Sequence, residues 1–190
     1  MARRPDIVEK AETIIEQFLI EWQKRPRFWY TEADVQAELF IRLRNFFGLQ
    51  GMNSVFAEYP EETKGLTGLQ EWARVTCEPT LYYTFEDEEN CECRPDLVIW
   101  EDADSDSPPD AVEGNWPILW ACEIKYRDYN LGSWDQDKLR HLINQKIVNH
   151  GCWLALSAVP ADSGKGIRWE KDKKCAKIWT CYANLLPLNN

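Results

Sequence analysis

The sequence lacks several features that would have placed it in a particular class. It has no apolar run near the roughly twenty residues that a membrane span needs, and its start (MARRP) leads into a charged stretch instead of a secretion signal. We therefore expect a cytoplasmic protein with no membrane partner. An odd count of seven cysteines disfavours a disulfide framework. Cys91 and Cys93 lie close together but have no second cysteine or histidine pair, so plain thiols are expected there before a zinc or iron–sulfur site.

Basic charge is also scarce, with 22 Lys and Arg against 32 Asp and Glu and a net charge of -10. A nucleic-acid-binding protein normally carries basic surface that displaces counterions from phosphate. Much of the acid, however, is concentrated in two blocks, EDEENCE (86–92) and EDADSDSPPD (101–110), which predict a solvated loop or hairpin tip. The rest of the chain is closer to balance. Nucleic-acid binding is therefore disfavoured by the total charge but not excluded.

The chain does contain ample material for a core, since 44% of its residues are hydrophobic and ten are Trp. We expect one domain over residues 1–190, with an acidic loop at 101–115. Apolar periodicity and turn residues predict the element order α, α, several β, α, β, β. The expected helices are 5–24, 31 to about 47 (stopped by Gly48), a short one near 69–75, and 134–150 (stopped by Gly151); the expected strands are 54–60, 80–85, 95–100, 117–125, 151–159 and 175–185.

The second predicted helix carries an acid on its inward face. Thr31 can cap the amide of Asp34, and a core stripe is expected at Val35, Leu39, Leu43 and Phe46. At about 100° per residue, Glu32 lies in line with Leu39 and Leu43. Glu32 is therefore expected to point at the sheet.

Charged residues also interrupt two buried strands. In WACEIKYRD (120–128), Glu123 and Lys125 project from one face while Cys122 and Ile124 project from the other. Asp96, in RPD, lies at the mouth of the preceding strand. Burial of charge is tolerated when it is paired, hydrogen-bonded or bound to a metal. Converging carboxylates and a lysine suit a hard divalent cation and metal-assisted hydrolysis of a phosphodiester.

The pattern RPD, twenty-six intervening residues and EIK, with an upstream helical glutamate and a following helix, resembles the PD-(D/E)XK nuclease superfamily. The resemblance implies a restriction-endonuclease-like α/β fold: a central mixed β-sheet flanked by helices, an αβββαβ core at about 31–160 and an extra N-terminal helix. It implies Mg²⁺- or Mn²⁺-dependent endonuclease cleavage of DNA. Enzymes that cut both strands often dimerise, so a homodimer is compatible with this interpretation.

The resemblance also implies roles for individual residues. Metal ligation falls to Asp96, Glu123 and the backbone carbonyl of Ile124, water positioning to Lys125, and an accessory catalytic or metal role to Glu32. The helix after the catalytic strand offers Asp135, Lys138 and Gln145, of which Lys138 is preferred for a phosphate contact. The expected substrate-binding residues are Lys138, Gln36 and Gln145.

Simpler interpretations exist for each feature. Glu123 and Lys125 could form an ion pair at a strand end, and Asp96 could belong to a turn. Glu32 and Asp135 could each be an acid that is favoured in the first turn of a helix by the helix dipole. A rival function follows from the charge: a non-catalytic acidic interaction protein that binds a basic partner or mimics nucleic acid. The two functions differ in whether cations gather around the carboxylates, and the cations to follow are Arg42, Arg44, Lys138, Arg140 and Lys146.

Overall fold

A computed structural model describes residues 4–51, 73–85, 88–101, 118–127, 133–160 and 166–186. Three α-helices and eight β-strands lie in these ranges. The helices are α1 (Arg4–Lys24), α2 (Glu32–Gly51) and α3 (Ser133–Asn144), with a short 3-10 helix at Pro26–Phe28. The strands are β1 (Ala73–Cys77), β2 (Leu81–Phe85), β3 (Glu88–Cys93), β4 (Leu97–Glu101), β5 (Ile118–Tyr126), β6 (Val148–Pro160), β7 (Ile167–Lys171) and β8 (Ile178–Leu185).

Six strands form a mixed sheet in the order β1-β4-β5-β6-β8-β7, and β2 and β3 form a separate hairpin. The pairs β1–β4, β4–β5 and β7–β8 are antiparallel, whereas β5–β6 and β6–β8 are parallel. Helix α3 connects β5 to its parallel neighbour β6, as such a crossover requires. The protein is thus a mixed α/β structure with helices flanking a six-stranded sheet.

Two hydrophobic clusters cover the two faces of this sheet. The first joins α1 and α2 to side chains such as Ile124 and Leu154. The second joins α3 and the β2–β3 hairpin to the opposite face, through residues such as Ala121 and Leu139. Because side chains alternate along a strand, Glu123 and Lys125 share the face of Ala121. The side chains of Glu123 and Lys125 therefore point toward α3.

The start of α2 agrees with the sequence analysis. The amide of Asp34 donates to Thr31 Oγ1 at 3.1 Å, and the amide of Thr31 donates to Asp34 Oδ2 at 2.9 Å, which is a reciprocal cap. The end of α2 was wrongly predicted, since the helix continues past Gly48 to Gly51. Phe46 does not belong to the core stripe because half of it is exposed.

Helix α3 ends earlier than the sequence predicts. It stops at Asn144, and residues 148–150 already belong to β6. The amide of Lys146 donates to the carbonyl of Ile143 and that of Ile147 to the carbonyl of Leu142, a Schellman ending with Lys146 at positive φ. Gly151 is therefore not a helix stop. It lies in β6, where an added Cβ would come within 3.2 Å of Ile143 Cδ1.

Other strand predictions meet mixed outcomes. The strands at 80–85, 95–100 and 117–125 are confirmed to within two residues, and the latter two pair as antiparallel neighbours. The short helix predicted near 69–75 is wrong where it can be compared, because residues 73–75 lie in β1. Part of the first acidic block forms β3, and β7 was not predicted. The predicted strand 54–60 and the acidic loop from 102 to 115 lie outside the described residues.

Within the described ranges, no helix is long and apolar enough to cross a membrane. All seven cysteines are free thiols and most are buried, as the odd count suggested.

Candidate metal-binding and catalytic site

Strand β5 is longer than its neighbour β4, and this difference creates an open edge. The pairing of the two strands ends at Leu97 and Cys122. Beyond that point the amide of Ile124 donates to Asp96 Oδ2 at 2.6 Å, and the amide of Tyr126 donates to Glu32 Oε2 at 3.2 Å. Two carboxylates thus occupy the edge that a longer β4 would have covered.

Asp96 is held in place through its backbone as well. Its carbonyl oxygen accepts hydrogen bonds from the Gln36 side chain at 2.9 Å and from the amide of Glu78 at 3.3 Å. Pro95, which is buried, fixes the backbone immediately before it. Asp96 therefore stands at the start of β4 with a defined orientation.

Beside this edge, two lysines and three acids form a network of ion pairs. Lys125 Nζ lies 3.0 Å from Asp135 Oδ2 and 3.7 Å from Glu32 Oε1. Lys138 Nζ lies 2.7 Å from Asp135 Oδ1 and 3.4 Å from Glu123 Oε1. We call the six residues the carboxylate–lysine cluster: Glu32, Asp96, Glu123, Lys125, Asp135 and Lys138.

Burial makes two acids of this cluster, Asp96 and Glu123, unusually weak. Glu123 is only 3% exposed. This burial, with the neighbouring charge of Asp96, raises its pKa to about 8, although Lys138 acts in the opposite direction. Burial also raises the pKa of Asp96, to about 6, against the hydrogen bond from the amide of Ile124. At neutral pH the cluster by itself therefore favours a proton on Glu123.

The two lysines, unlike Glu123, are stabilised in their charged form. Burial lowers the pKa of Lys125, but the hydrogen bond to Asp135 and the charges of Asp135, Glu32 and Asp96 outweigh it, so the pKa lies above its ordinary value. The pKa of Lys138 is raised by the same balance, with Asp135 and Glu123 as its partners. Both lysines are therefore cationic at neutral pH.

The donor set of the cluster fits a hard divalent cation. Its four carboxyl groups exceed its two ammonium groups, and a buried acid that holds a proton near neutral pH is stabilised in its charged form by a bound cation. In the part of the chain that the structure describes, no three Asp, Glu, His or Cys groups are arranged as a ready metal site. The reason is visible in the contacts, because Glu123 and Asp135 each direct an oxygen at Lys138.

The remaining predicted site residues are distributed as follows. The amide of Ile124 faces the open edge, and because the N–H and C=O of one strand residue point the same way, its carbonyl faces that edge too. Gln36 supports Asp96 and also donates to Glu78 Oε1 at 3.2 Å. Gln145 follows the end of α3, about 10 Å along the helix axis from Lys138. Gln145 thus lies at the far end of the helix from the cluster.

Of the five cations named for distinguishing the two functions, Lys138 alone is joined to the cluster by a described ion pair. Arg42 pairs with Glu21 and Glu38, and Arg44 lies over the ring of Phe40. Arg140 binds Asp172 and Asp137. Lys146 is exposed in the turn after α3.

Asp135 is the site residue that sequence reasoning undervalued. Asp135 is 8% exposed and forms ion pairs with both Lys125 and Lys138. The sequence suggested only a helix-dipole role for Asp135 and preferred Lys138 for a phosphate contact. The available signal was its i, i+3 spacing to Lys138 at the start of a helix that follows the strand carrying Lys125.

No family model, no curated protein and no solved structure matches this chain.

Proposed function

We propose that the protein is a divalent-metal-dependent nuclease that hydrolyses DNA phosphodiester bonds on a restriction-endonuclease-like fold. The observation that carries this proposal is that Asp96, Glu123 and Lys125 lie together where β5 extends beyond the start of β4. A simple ion pair at a strand end explains Glu123 and Lys125 but gives no reason for the half-buried Asp96 beside them.

The order of elements supports the fold assignment. Helix α2 precedes the three antiparallel strands β1, β4 and β5, and α3 then leads to the parallel strand β6. This is the αβββαβ order that the PD-(D/E)XK resemblance implies, with the β2–β3 hairpin inserted between its first two strands. Helix α1 is the additional N-terminal helix.

Asp96 and Glu123 would hold Mg²⁺ or Mn²⁺, with Glu32 and the carbonyl of Ile124 as further oxygen donors. Such a cation supplies Lewis-acid chemistry, which makes water a stronger nucleophile and offsets charge developing on the phosphoryl group. Lys125 stays protonated because Asp135 and Glu32 surround it. It therefore acts as a hydrogen-bond donor that orients the attacking water or stabilises phosphate oxygens, and not as the base.

Plasmid cleavage in the presence of Mg²⁺ or Mn²⁺ tests this function. The wild-type chain should cut, and Asp96→Ala and Lys125→Ala should each lose most of the activity. Glu170→Ala and Lys173→Ala remove the same kinds of charge at exposed positions outside the cluster and serve as controls. Equal cleavage by wild type, Asp96→Ala and Lys125→Ala would rule the assignment out.

Asp135 gives a second test of the same site, because it acts through Lys125. The Asp135→Ala variant removes the partner at 3.0 Å and should lower the cleavage rate about a hundredfold, the effect of misplacing a positioned group. A combined Asp135→Ala and Lys125→Ala variant should lose less activity than the product of the two single losses. Additive losses would mean that Asp135 acts independently of Lys125.

The rival function is a non-catalytic acidic interaction protein on the same fold. The observation that favours it is that Arg42 and Arg140 are paired with acids away from the cluster, in a chain of net charge -10. Calorimetric titration with Mn²⁺ separates the two functions. Binding that Asp96→Ala abolishes supports the nuclease, whereas wild-type protein that binds no Mn²⁺ supports the interaction protein.

A further inference from the structure

The segment that joins α1 to α2, residues 24–31, combines exposed cations with exposed aromatic rings. Lys24, Arg25 and Arg27 fall within four positions and are all exposed. Phe28 and Tyr30 are 72% and 67% exposed, the highest values among the large hydrophobic side chains that the structure describes. We call this segment the α1–α2 linker. Its composition is unusual in a chain with ten more acids than bases.

The linker is fixed to the body of the protein, so the exposure of its rings is not the result of fraying. Trp29 is buried and its ring meets that of Phe18 edge-on at 5.1 Å. The Tyr126 hydroxyl donates to the carbonyl of Trp29 at 2.6 Å. The amide of Tyr30 donates to Asp34 Oδ2 at 3.0 Å. These contacts fix the backbone directly after Phe28, while the rings of Phe28 and Tyr30 stay exposed to solvent.

The same contacts place the linker beside the carboxylate–lysine cluster. Tyr126, which holds Trp29, follows Lys125 directly on β5, and its amide donates to Glu32. Glu32 in turn comes two residues after Tyr30. The linker therefore adjoins the cluster at Glu32.

The linker also forms part of a concave surface. A cavity of about 390 Å³ is lined by Lys24, Arg25, Phe28 and Trp29 on the linker side, and by Glu21, Glu38 and Arg42 on the helices. Arg42 is engaged with both of those acids. Within the described residues, Lys24, Arg25 and Arg27 form no direct ion pair, although the Glu21 carboxylate interacts with the charges of Lys24 and Arg25 at longer range. An anionic partner can therefore still contact all three.

We propose that the α1–α2 linker binds an unpaired nucleic-acid strand, with phosphates on Lys24, Arg25 and Arg27 and bases stacked on Phe28 and Tyr30. Base faces are accessible to aromatic side chains only where the strand is not in a duplex, and cations beside aromatic rings are the usual means of binding single strands. This inference rests on the proposed nuclease function for the identity of the partner. It adds that the linker engages an unpaired part of the substrate.

Fluorescence anisotropy with labelled single-stranded DNA, single-stranded RNA and duplex DNA tests the inference on the full chain. EDTA prevents cleavage, so that binding is measured separately from catalysis. The wild type should bind a single strand more tightly than the duplex, and the better of the DNA and RNA arms identifies the strand. The combined Phe28→Ala and Tyr30→Ala variant should weaken single-strand binding by about tenfold or more, the loss expected from one or two stacked bases.

Charge and aromatic contributions have separate controls. Arg25→Gln with Arg27→Gln should weaken binding and reduce its dependence on salt, whereas Lys173→Gln with Lys174→Gln removes two exposed cations elsewhere and should have little effect. Ile20→Ala with Leu186→Ala removes exposed apolar side chains outside the linker. Because all these positions are exposed, the variants should fold, and circular dichroism checks that they do.

The outcomes distinguish this inference from the nuclease proposal. If single strands bind no more tightly than the duplex, or if the linker variants bind as well as their controls, the inference is overturned whatever the cleavage assay shows. If the linker variants weaken binding while Asp96→Ala binds like the wild type, the inference stands. It also stands when no cleavage is found, in which case the nuclease proposal fails alone.

Discussion

Asp135 shows how single residues hold the candidate site together. Its two carboxylate oxygens lie 3.0 Å from Lys125 Nζ and 2.7 Å from Lys138 Nζ, so one acid fixes two cations. Lys138 then reaches Glu123 on the neighbouring strand. Such shared partners make the geometry of each side chain depend on the others, because a charge left unpaired in a mostly buried place is costly.

A half-buried acid, Glu12 on α1, lies outside the cluster and supports a prediction about pH. Burial, with a smaller effect of the Glu9 charge, raises its pKa from 4.5 to about 7, and its Oε1 atom is buried without a hydrogen-bond partner among the described residues. The unfolded chain thus releases this proton at lower pH than the folded one. Glu12 therefore lowers the free energy of unfolding as pH rises from about 4.5 to 7, and its effect is constant above that range.

Glu12→Gln should remove this penalty. The variant should match the wild type near pH 4 and become more stable by about 1–2 kcal/mol above pH 7, a value reduced from the full linkage because Glu12 is partly exposed. Urea denaturation at several pH values measures the difference. Glu16→Gln makes the same change at an exposed position of α1. A gain that is equal at acidic and neutral pH would contradict the assignment to Glu12.

At the level of elements, strand ends and helix ends decide where the site lies. Strand β5 continues for four residues beyond Cys122, and two of their amides donate hydrogen bonds to Asp96 and Glu32. Helix α3 ends at Asn144 through a Schellman motif whose left-handed position is occupied by Lys146, with φ of 61°. Glycine is the usual residue there because a Cβ is disfavoured at positive φ.

Replacing Lys146 by glycine should therefore stabilise the protein. The expected gain in free energy of unfolding is about 1 kcal/mol, the approximate cost of a side chain in the left-handed region. Thermal and urea denaturation of Lys146→Gly and of Lys146→Ala give the comparison, since alanine removes the charge and keeps the Cβ. A gain shared equally by both variants would show that charge, and not backbone conformation, is responsible.

At the level of the whole molecule, the close packing of α3 on the sheet sets the distance between its charges and those of β5. Gly151 on β6 permits this approach, because a Cβ there would lie 3.2 Å from Ile143 Cδ1 and 3.3 Å from Ile178 Cγ1. Ile143 belongs to α3 and Ile178 to β8. A larger residue must displace these two side chains, which lie between β6 and its neighbours.

Gly151→Val should thus destabilise the protein by about 1–3 kcal/mol, as overpacking of a core does. Since α3 carries Asp135 and Lys138, the same change should also lower cleavage under the proposed function. Ala176→Val enlarges an exposed residue and is the matched control. Equal stability of Gly151→Val and the wild type, measured by urea denaturation, would contradict this account of the packing.

Local patterns in the chain were enough to predict most of the helices and strands and most of the charged residues of the site. Period-3.6 and period-2 patterns are local, so they predicted α1, the capped start of α2 and strands β4 and β5. They also set Glu123 and Lys125 on one face. Local patterns misplaced the ends of α2 and α3, because Gly48 and Gly151 indicate a stop only when the chain turns there.

Which side chains contact one another follows from the folded arrangement of the elements and not from local patterns. Four contacts of this kind are those of Asp135 with Lys125, of Arg42 with Glu21, of Arg140 with Asp172 and of Tyr126 with Trp29. Each joins two separate parts of the chain, so local patterns could not predict it. The same holds for the weak acidity of Glu123, because desolvation and neighbouring charge exist only once the chain has packed around it.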